Sequence, residues 1–228
     1  MRLIVVVEGQ TEEAFVKDVL GPHLDLLGVY TSATIVGKVI AQRRGHHHRG
    51  GGHFKHWLTD LKRILGRDRS PDLRVTTLFD LYGLPDDFPG LEKHGAEADT
   101  CRRCDGLQVA LGELVGDRRF IPYLQRHEFE ALVLAALPSL AELLDAEDDL
   151  SGLRALKTEI GVTPPEEVND GLETAPSKRL QRHIPGYRKT LHGPDVTADA
   201  GLATLRHACT RFNAWVARLE GLAHEDAP

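Results

Sequence analysis

The chain has 228 residues, 41% hydrophobic and 27% charged, with 34 acidic against 28 basic side chains and a formal charge of −6. This composition excludes intrinsic disorder, collagen and coiled coil, and the length suits one large domain, or one domain with an elaboration, whose core needs no disulfide or metal staple. Three cysteines give no disulfide framework, Leu3 to Val7 is too short for a membrane span or a signal-peptide core, and an acidic total excludes a protein that coats nucleic acid over its whole surface. The expectation is a cytoplasmic protein that makes no membrane contact.

Arg2 to Val7 is a β-branched, apolar run and predicts a buried strand. Glu8-Gly9 ends it, and Thr11 is a good N-cap for a helix through about Leu20. Ala33 to Ile40 predicts a second strand. After a loop of Gly, His and Arg, Phe54 to Leu65 places Trp57, Leu58, Leu61, Ile64 and Leu65 on one helix face. Leu73 to Phe79 predicts a third strand, stopped by Asp80. The Pro/Gly-rich stretch Gly83 to Gly95 then leads to a helix from about Glu97 to Val115. Phe120 to Leu124 predicts a fourth strand, and Glu128 to Leu137 a further helix. Strands alternating with helices form βα units, so the fold class is α/β: a mostly parallel sheet with helices on both faces.

From about Ser139 the pattern is helical: Ser139–Leu144, Ser151–Ile160, a start at Thr163 with Glu166 in capping-box spacing, and a last helix from about Gly201 to Leu222. In that last helix Leu202, Leu205, Cys209, Phe212, Val216 and Leu219 form a stripe suited to core packing. There is no internal repeat. The expected organisation is a core over residues 1–138 and a helical C-terminal extension, 139–228, packed on it.

Ligands of open parallel sheets gather beyond the carboxyl ends of the strands. Here those ends carry acids: Glu8 after the first strand, Asp80 after the third, Glu128 and Glu130 after the fourth, with Glu12 one helical turn beyond Glu8. Gathered carboxylates repel one another, and hard oxygen donors without cysteine favour Mg²⁺ or Mn²⁺. A pair of such ions activates a water and stabilises the leaving oxygen of a phosphodiester. An acid after a single strand is ordinarily a helix cap or a solvated loop residue, so both readings stand at this point. A phospho-receiver reading, with Asp80 as acceptor, is disfavoured by Glu8-Gly9 where receivers carry an adjacent acidic pair.

The segment Val7-Glu8-Gly9-Gln10-Thr11-Glu12 resembles the opening motif of Toprim domains, the fold shared by topoisomerases, DnaG-type primases and OLD-family nucleases. Asp80-Leu81-Tyr82-Gly83-Leu84-Pro85, Phe88-Pro89-Gly90, Gln125 to Leu132 and Pro176-Ser177-Lys178-Arg179 further resemble a bacterial Toprim-like family catalogued as a domain of unknown function. Some members of that family accompany ATPases in abortive-infection and related phage-defence operons. The resemblance covers about residues 2 to 222. It implies a Toprim core, dependence on Mg²⁺ (or Mn²⁺), and DNA, ahead of RNA, as substrate. It makes Glu8 a metal ligand or general acid/base, Asp80 the first acid of an Asp-x-Asp metal motif, and Lys178 a candidate for stabilising transition-state charge. Tyr82 replaces the second acid of that motif, so the missing ligand must come from Glu128, Glu130, Asp86 or Asp87.

Basic residues concentrate in two segments. Arg43, Arg44 and Arg49 flank His46 to His48, ahead of three glycines, and suit a phosphate-contacting loop, an adventitious metal site or a solvated loop. Between Ala175 and Pro194 stand Lys178, Arg179, Arg182, Arg188 and Lys189 without a single Asp or Glu, an expected nucleic-acid-facing strip with Tyr187 available to stack on a base. Cys101 and Cys104 lack a second pair at zinc spacing and read as a helix-face pair. His127 suits an orienting role or a helix start, and Trp57 and Trp215 suit the core.

The expected function is therefore a Mg²⁺-dependent nuclease controlled by an ABC- or AAA-type ATPase encoded nearby, in phage defence; a homodimer is compatible with it. Glu8, Glu12, Asp80, Glu128 and Glu130 would hold metal. Arg43, Arg44, Arg49, Lys178, Arg179, Arg182, Arg188 and Lys189 would bind nucleic acid. The alternative is an inactive Toprim-like module that binds nucleic acid or senses a phage product within an ATPase complex.

Overall fold

The computed structural model describes residues 1–37, 53–169 and 171–224. Its sheet is built on β1 (Arg2–Val7), which pairs in parallel with β2 (Tyr30–Ile35) on one side and β3 (Leu73–Asp80) on the other. Beyond β3 lie two short parallel strands, β4 (Phe120–Ile121) and β5 (Leu124–Gln125), giving the order β2-β1-β3-β4 with β5 also on β3. Side chains alternate across a strand, and the sequence exploits that period. Leu3, Val5, Val7 and Leu78 enter one core, and Val6, Val75 and Phe79 enter a second on the opposite face.

The second core is covered by α3 (Phe54–Arg67) and α5 (Thr100–Val115), with the short α4 (Leu91–His94) between them. The first is covered by α1 (Gln10–Phe15) and α2 (Gly21–Leu26), which a π-helical turn, Val16–Leu20, joins without a break. The C-terminal helices lie on this same face: α6 (Glu130–Ala135), α7 (Leu137–Leu143), α8 (Glu147–Ile160), α9 (Pro176–His183), α10 (Lys189–Ala208) and α11 (Thr210–Gly221). Leu205, Cys209, Phe212 and Val216 of the predicted stripe are buried in one core with Phe15 of α1. Trp57 and Trp215 are buried as expected; the Trp215 indole stacks on Tyr123 at 4.4 Å and donates to Thr76 Oγ1. Among the described residues no helix is long and apolar enough to cross a membrane.

Several boundaries differ from the sequence-based expectation, each for a local reason. The second strand starts at Tyr30, three residues early, because Tyr30 and Thr31 are good strand formers that pair with Arg2 and Leu3 of β1; residues 38–40 lie outside the described ones. The fourth strand is split around Pro122, which has no N–H to give to the ladder. Thr77 replaces the lost bonds: its hydroxyl accepts from the Tyr123 N–H at 2.8 Å and donates to the Tyr123 carbonyl at 2.7 Å. The helix expected from Glu128 starts at Glu130 and is interrupted at Ala136, ahead of Pro138. The long last helix is two helices, with Cys209 extended between them. The capping box at Thr163 does not form; Glu166 instead accepts from the Arg211 and Phe212 backbone N–H groups at 2.8 and 3.0 Å and caps α11.

Candidate functional site

The strand order places a topological switch point between β1 and β3, since the chain leaves β1 toward β2 and returns on its other side. Glu8 and Asp80 stand at the two carboxyl ends that flank this point. They are joined directly: Glu8 Oε1 accepts a 2.6 Å hydrogen bond from the Asp80 backbone N–H. Gly83 leaves room for the same carboxylate, because a Cβ there would lie 2.4 Å from Glu8 Oε2.

Asp80 shares the strand parity of Leu78, so its side chain points to the face covered by the C-terminal helices. Its Oδ1 accepts from the Phe129 N–H at 2.7 Å, and its Oδ2 stands 3.7 Å from Lys189 Nζ. Glu130, fully buried in the first turn of α6, brings Oε2 to 3.0 Å from the same ammonium, while its Oε1 has no hydrogen-bond partner among the described residues. Glu12, 4% exposed on α1, completes the group and interacts electrostatically with Glu8, Asp80 and Lys189. Close contact holds α10 against this corner, where Gly193 packs on Thr11 and Phe129.

Four carboxyl groups thus surround one ammonium. Burial is the main reason the proton affinity of Glu8, Glu130 and Asp80 rises: the Glu8 carboxyl is pushed up to about 8 and that of Glu130 to about 7. Asp80 is pushed well above the ordinary range, by burial first and then by Glu12, Glu8 and Glu130 against the pull of Lys189. Lys189 is raised as well: burial works against its charge, but Asp80, Glu130 and Glu12 outweigh it and hold the ammonium protonated. The cluster is short of positive charge, and its donors are all hard oxygens, one of them an orphaned buried atom. That chemistry fits a divalent cation of the Mg²⁺ class. Among the described residues, however, no three His, Cys, Asp or Glu side chains stand arranged to hold a metal ion, and the cation among the acids is Lys189.

The other expected site residues are distributed differently. Glu128 is turned to the start of α9, where its Oε2 accepts from the Ser177 N–H at 2.9 Å. Asp87 accepts from the Phe54 N–H and serves the start of α3, and Asp86 is exposed. Lys178 is exposed and makes no ion pair among the described residues, so the lysine at the carboxylates is Lys189, which was expected only on the basic strip. The acid-free strip is acid-free in sequence alone, because Glu159 of α8 pairs with Arg179, Arg182 and His183. Arg188 is exposed. Tyr187 is buried, its hydroxyl without a partner among the described residues, and so offers no surface for base stacking. Arg43, Arg44, Arg49 and the His46 to His48 run lie outside the described residues. Cys104 is buried and its thiol pushed up to about 12 by desolvation, as suits a helix-face cysteine.

Tyr82 occupies the position of the missing second acid and turns elsewhere. Its hydroxyl meets Asn169 Nδ2 and lies 3.2 Å from His127 Nδ1, and its N–H donates to the His127 carbonyl. His127 adopts φ +63°, the one described non-glycine residue with positive φ, and its imidazole is held neutral by burial, down to about 4. His127 therefore orients Tyr82. Nothing in the local sequence signals this pairing across 45 residues.

No curated protein matches the sequence. Solved structures of the C-terminal region of the OLD protein of Xanthomonas campestris pv. campestris are similar to the chain: the mercury-phased one at 18% identity and TM-score 0.40, covering 95% of this chain and 96% of that one. The platinum-phased one has 21% identity and TM-score 0.38, covering 98% and 97%. A family model described as "Domain of unknown function (DUF4276)" matches residues 7–220, and the chain belongs to that family.

Proposed function

We propose that the chain is a Toprim-type nuclease that hydrolyses nucleic-acid phosphodiesters with the help of Mg²⁺ or Mn²⁺. The observation that carries this reading is the gathering of Glu8, Glu12, Asp80 and Glu130 at the sheet's switch point, with Asp80 and Glu130 3.7 and 3.0 Å from the Lys189 ammonium. Glu8 and Asp80, with Glu12 and Glu130, are the residues that would hold the ion. When bound, it supplies Lewis-acid stabilisation to the phosphate and acidifies a water. Glu8 Oε2, the oxygen not engaged by Asp80, is the acceptor placed to take up the water proton. Lys189 places its positive charge where the pentacoordinate phosphate becomes more negative. DNA ahead of RNA, an ATPase partner and a role in phage defence are proposed on the strength of the motif resemblance.

The test is plasmid nicking with Mg²⁺ or Mn²⁺, with the ATPase partner and ATP supplied. Glu8→Ala and Asp80→Ala should each reduce nicking by at least about a hundredfold, the scale of losing one group that acts mainly in the transition state. A second reading, an inert nucleic-acid-binding module, is favoured by one observation, the Tyr82 side chain standing where an acid would complete the metal motif. Wild-type protein that stays inert under those conditions selects the second reading.

A further inference from the structure

Beside the carboxylates lies a cationic corner that the proposed chemistry does not use. Arg103, in the first turns of α5, has a buried Nε with no hydrogen-bond partner, and its guanidinium makes no ion pair among the described residues. Arg126, next to His127, donates from Nε to Thr100 Oγ1 at 2.7 Å. Thr100 and Arg103 are three residues apart on α5, so both arginines reach the same face of its first turn. Among the described residues Arg126 has one ion-pair partner, Glu167, at 3.7 Å with a 55% exposed side chain. The other acids close by are engaged: Asp99 caps α5 by accepting from the Cys101 and Arg102 N–H groups, and Glu128 accepts from Ser177.

Tyr82 links this corner to the proposed catalytic residues. It follows Asp80 by two positions and feels the charges of Arg103, Glu128 and Arg126. An acid at position 82, as in the Asp-x-Asp pattern, would neutralise the arginines. A tyrosine whose hydroxyl is taken up by Asn169 and His127 leaves their charge available. A buried guanidinium nitrogen without an acceptor is costly unless a ligand supplies one.

We propose that Arg103 and Arg126 form a phosphate-binding subsite beside the carboxylate cluster, which holds a backbone phosphate of the nucleic-acid strand next to the one cleaved. The planar guanidinium forks suit bidentate contact with phosphate oxygens. This subsite rests on the reading of the chain as acting on nucleic acid. It is independent of whether the carboxylates catalyse.

The test is fluorescence anisotropy of a fluorescein-labelled single-stranded DNA oligonucleotide titrated with the full chain in EDTA, across a series of salt concentrations. Arg103→Met should bind about tenfold more weakly, and its slope of log affinity against log salt should flatten by about 0.7, the value of one released counterion on a single strand. Arg103→Lys should recover the slope but only part of the affinity, because the ammonium lacks the bidentate fork. Arg218→Met, an exposed position on α11, should leave both unchanged. The inference is overturned if the wild type does not bind at low salt, if Arg103→Met keeps the wild-type slope, or if Arg218→Met matches its loss. Cleavage is read separately with Mg²⁺: binding that depends on Arg103 without cleavage removes the nuclease and leaves the subsite standing, and cleavage with Arg103-independent binding does the reverse.

Discussion

The Asp80 backbone N–H donates to Glu8 Oε1 across 2.6 Å, so the acid that ends β1 is held by the main chain of the residue that ends β3. A main-chain donor fixes one oxygen of Glu8 whatever the side chain at position 80, and leaves the other free toward the space bounded by Gly83. Two acids far apart in sequence are thereby set in fixed relation by strand pairing, and consequences for stability and activity follow.

The first concerns pH. Glu8 has a higher proton affinity folded, about 8, than its ordinary value of 4.5, so the native state binds more protons over that window. Its stabilising contribution is complete below about 4.5 and is lost as pH rises through about 8. Glu8→Gln keeps an oxygen for the Asp80 N–H and removes the charge. Thermal melts in EDTA should show the variant more stable than wild type by about 2 kcal/mol at pH 8.5, with the two converging near pH 5. Equal pH profiles would place the Glu8 carboxylate in water.

Gly83→Ala tests the same carboxylate sterically. The new methyl would stand 2.4 Å from Glu8 Oε2, so the carboxylate must move, while Gly83 itself lies on an exposed 3₁₀ turn. The melting temperature should change little, by the equivalent of about 1 kcal/mol or less. Nicking should fall at least about tenfold, because misplacement on the ångström scale is costly to a positioned group. Undiminished nicking would show that Glu8 Oε2 is not required in its place.

Lys189→Met separates the two lysines. Removing the ammonium leaves Asp80 and Glu130 facing one another with Glu130 fully buried, and should destabilise the metal-free protein by about 3 kcal/mol. Because the ion and the ammonium answer the same charge deficit, added Mn²⁺ should raise the melting temperature of Lys189→Met more than that of wild type. Lys178→Met, on an exposed position, should melt like wild type with and without metal. A differential scanning fluorimetry titration reads all three proteins, and an identical Mn²⁺ response in each would argue against the ion's binding at this cluster.

Glu166→Ala addresses the fold alone. Its carboxylate satisfies two N–H groups at the start of α11, at 2.8 and 3.0 Å, and it is 3% exposed. Loss of this cap should cost about 1–2 kcal/mol in urea unfolding without a change in oligonucleotide affinity. A neutral substitution would show that those groups find other acceptors.

The sequence by itself determined the fold class and the strand-end acids. β-branched runs at Arg2–Val7 and Leu73–Asp80 form strands because their apolar side chains alternate onto two cores, and an acid cannot continue a run buried on both faces. The helices α3 and α5 were legible for the same reason, their apolar period matching 3.6 residues. What only the tertiary structure decided is which charges meet. Lys189 and Lys178 look alike in a strip without acids, yet α10 brings one to Asp80 and Glu130 and α9 leaves the other at the surface. Glu159 neutralises Arg179 and Arg182 from across 20 residues and more, Glu166 caps a helix 45 residues away, and Tyr82 joins His127 and Asn169. Apolar periodicity is a local property of the chain and survives in its sequence. A charge pair depends on where packing sets two distant elements, and no spacing along the chain records it.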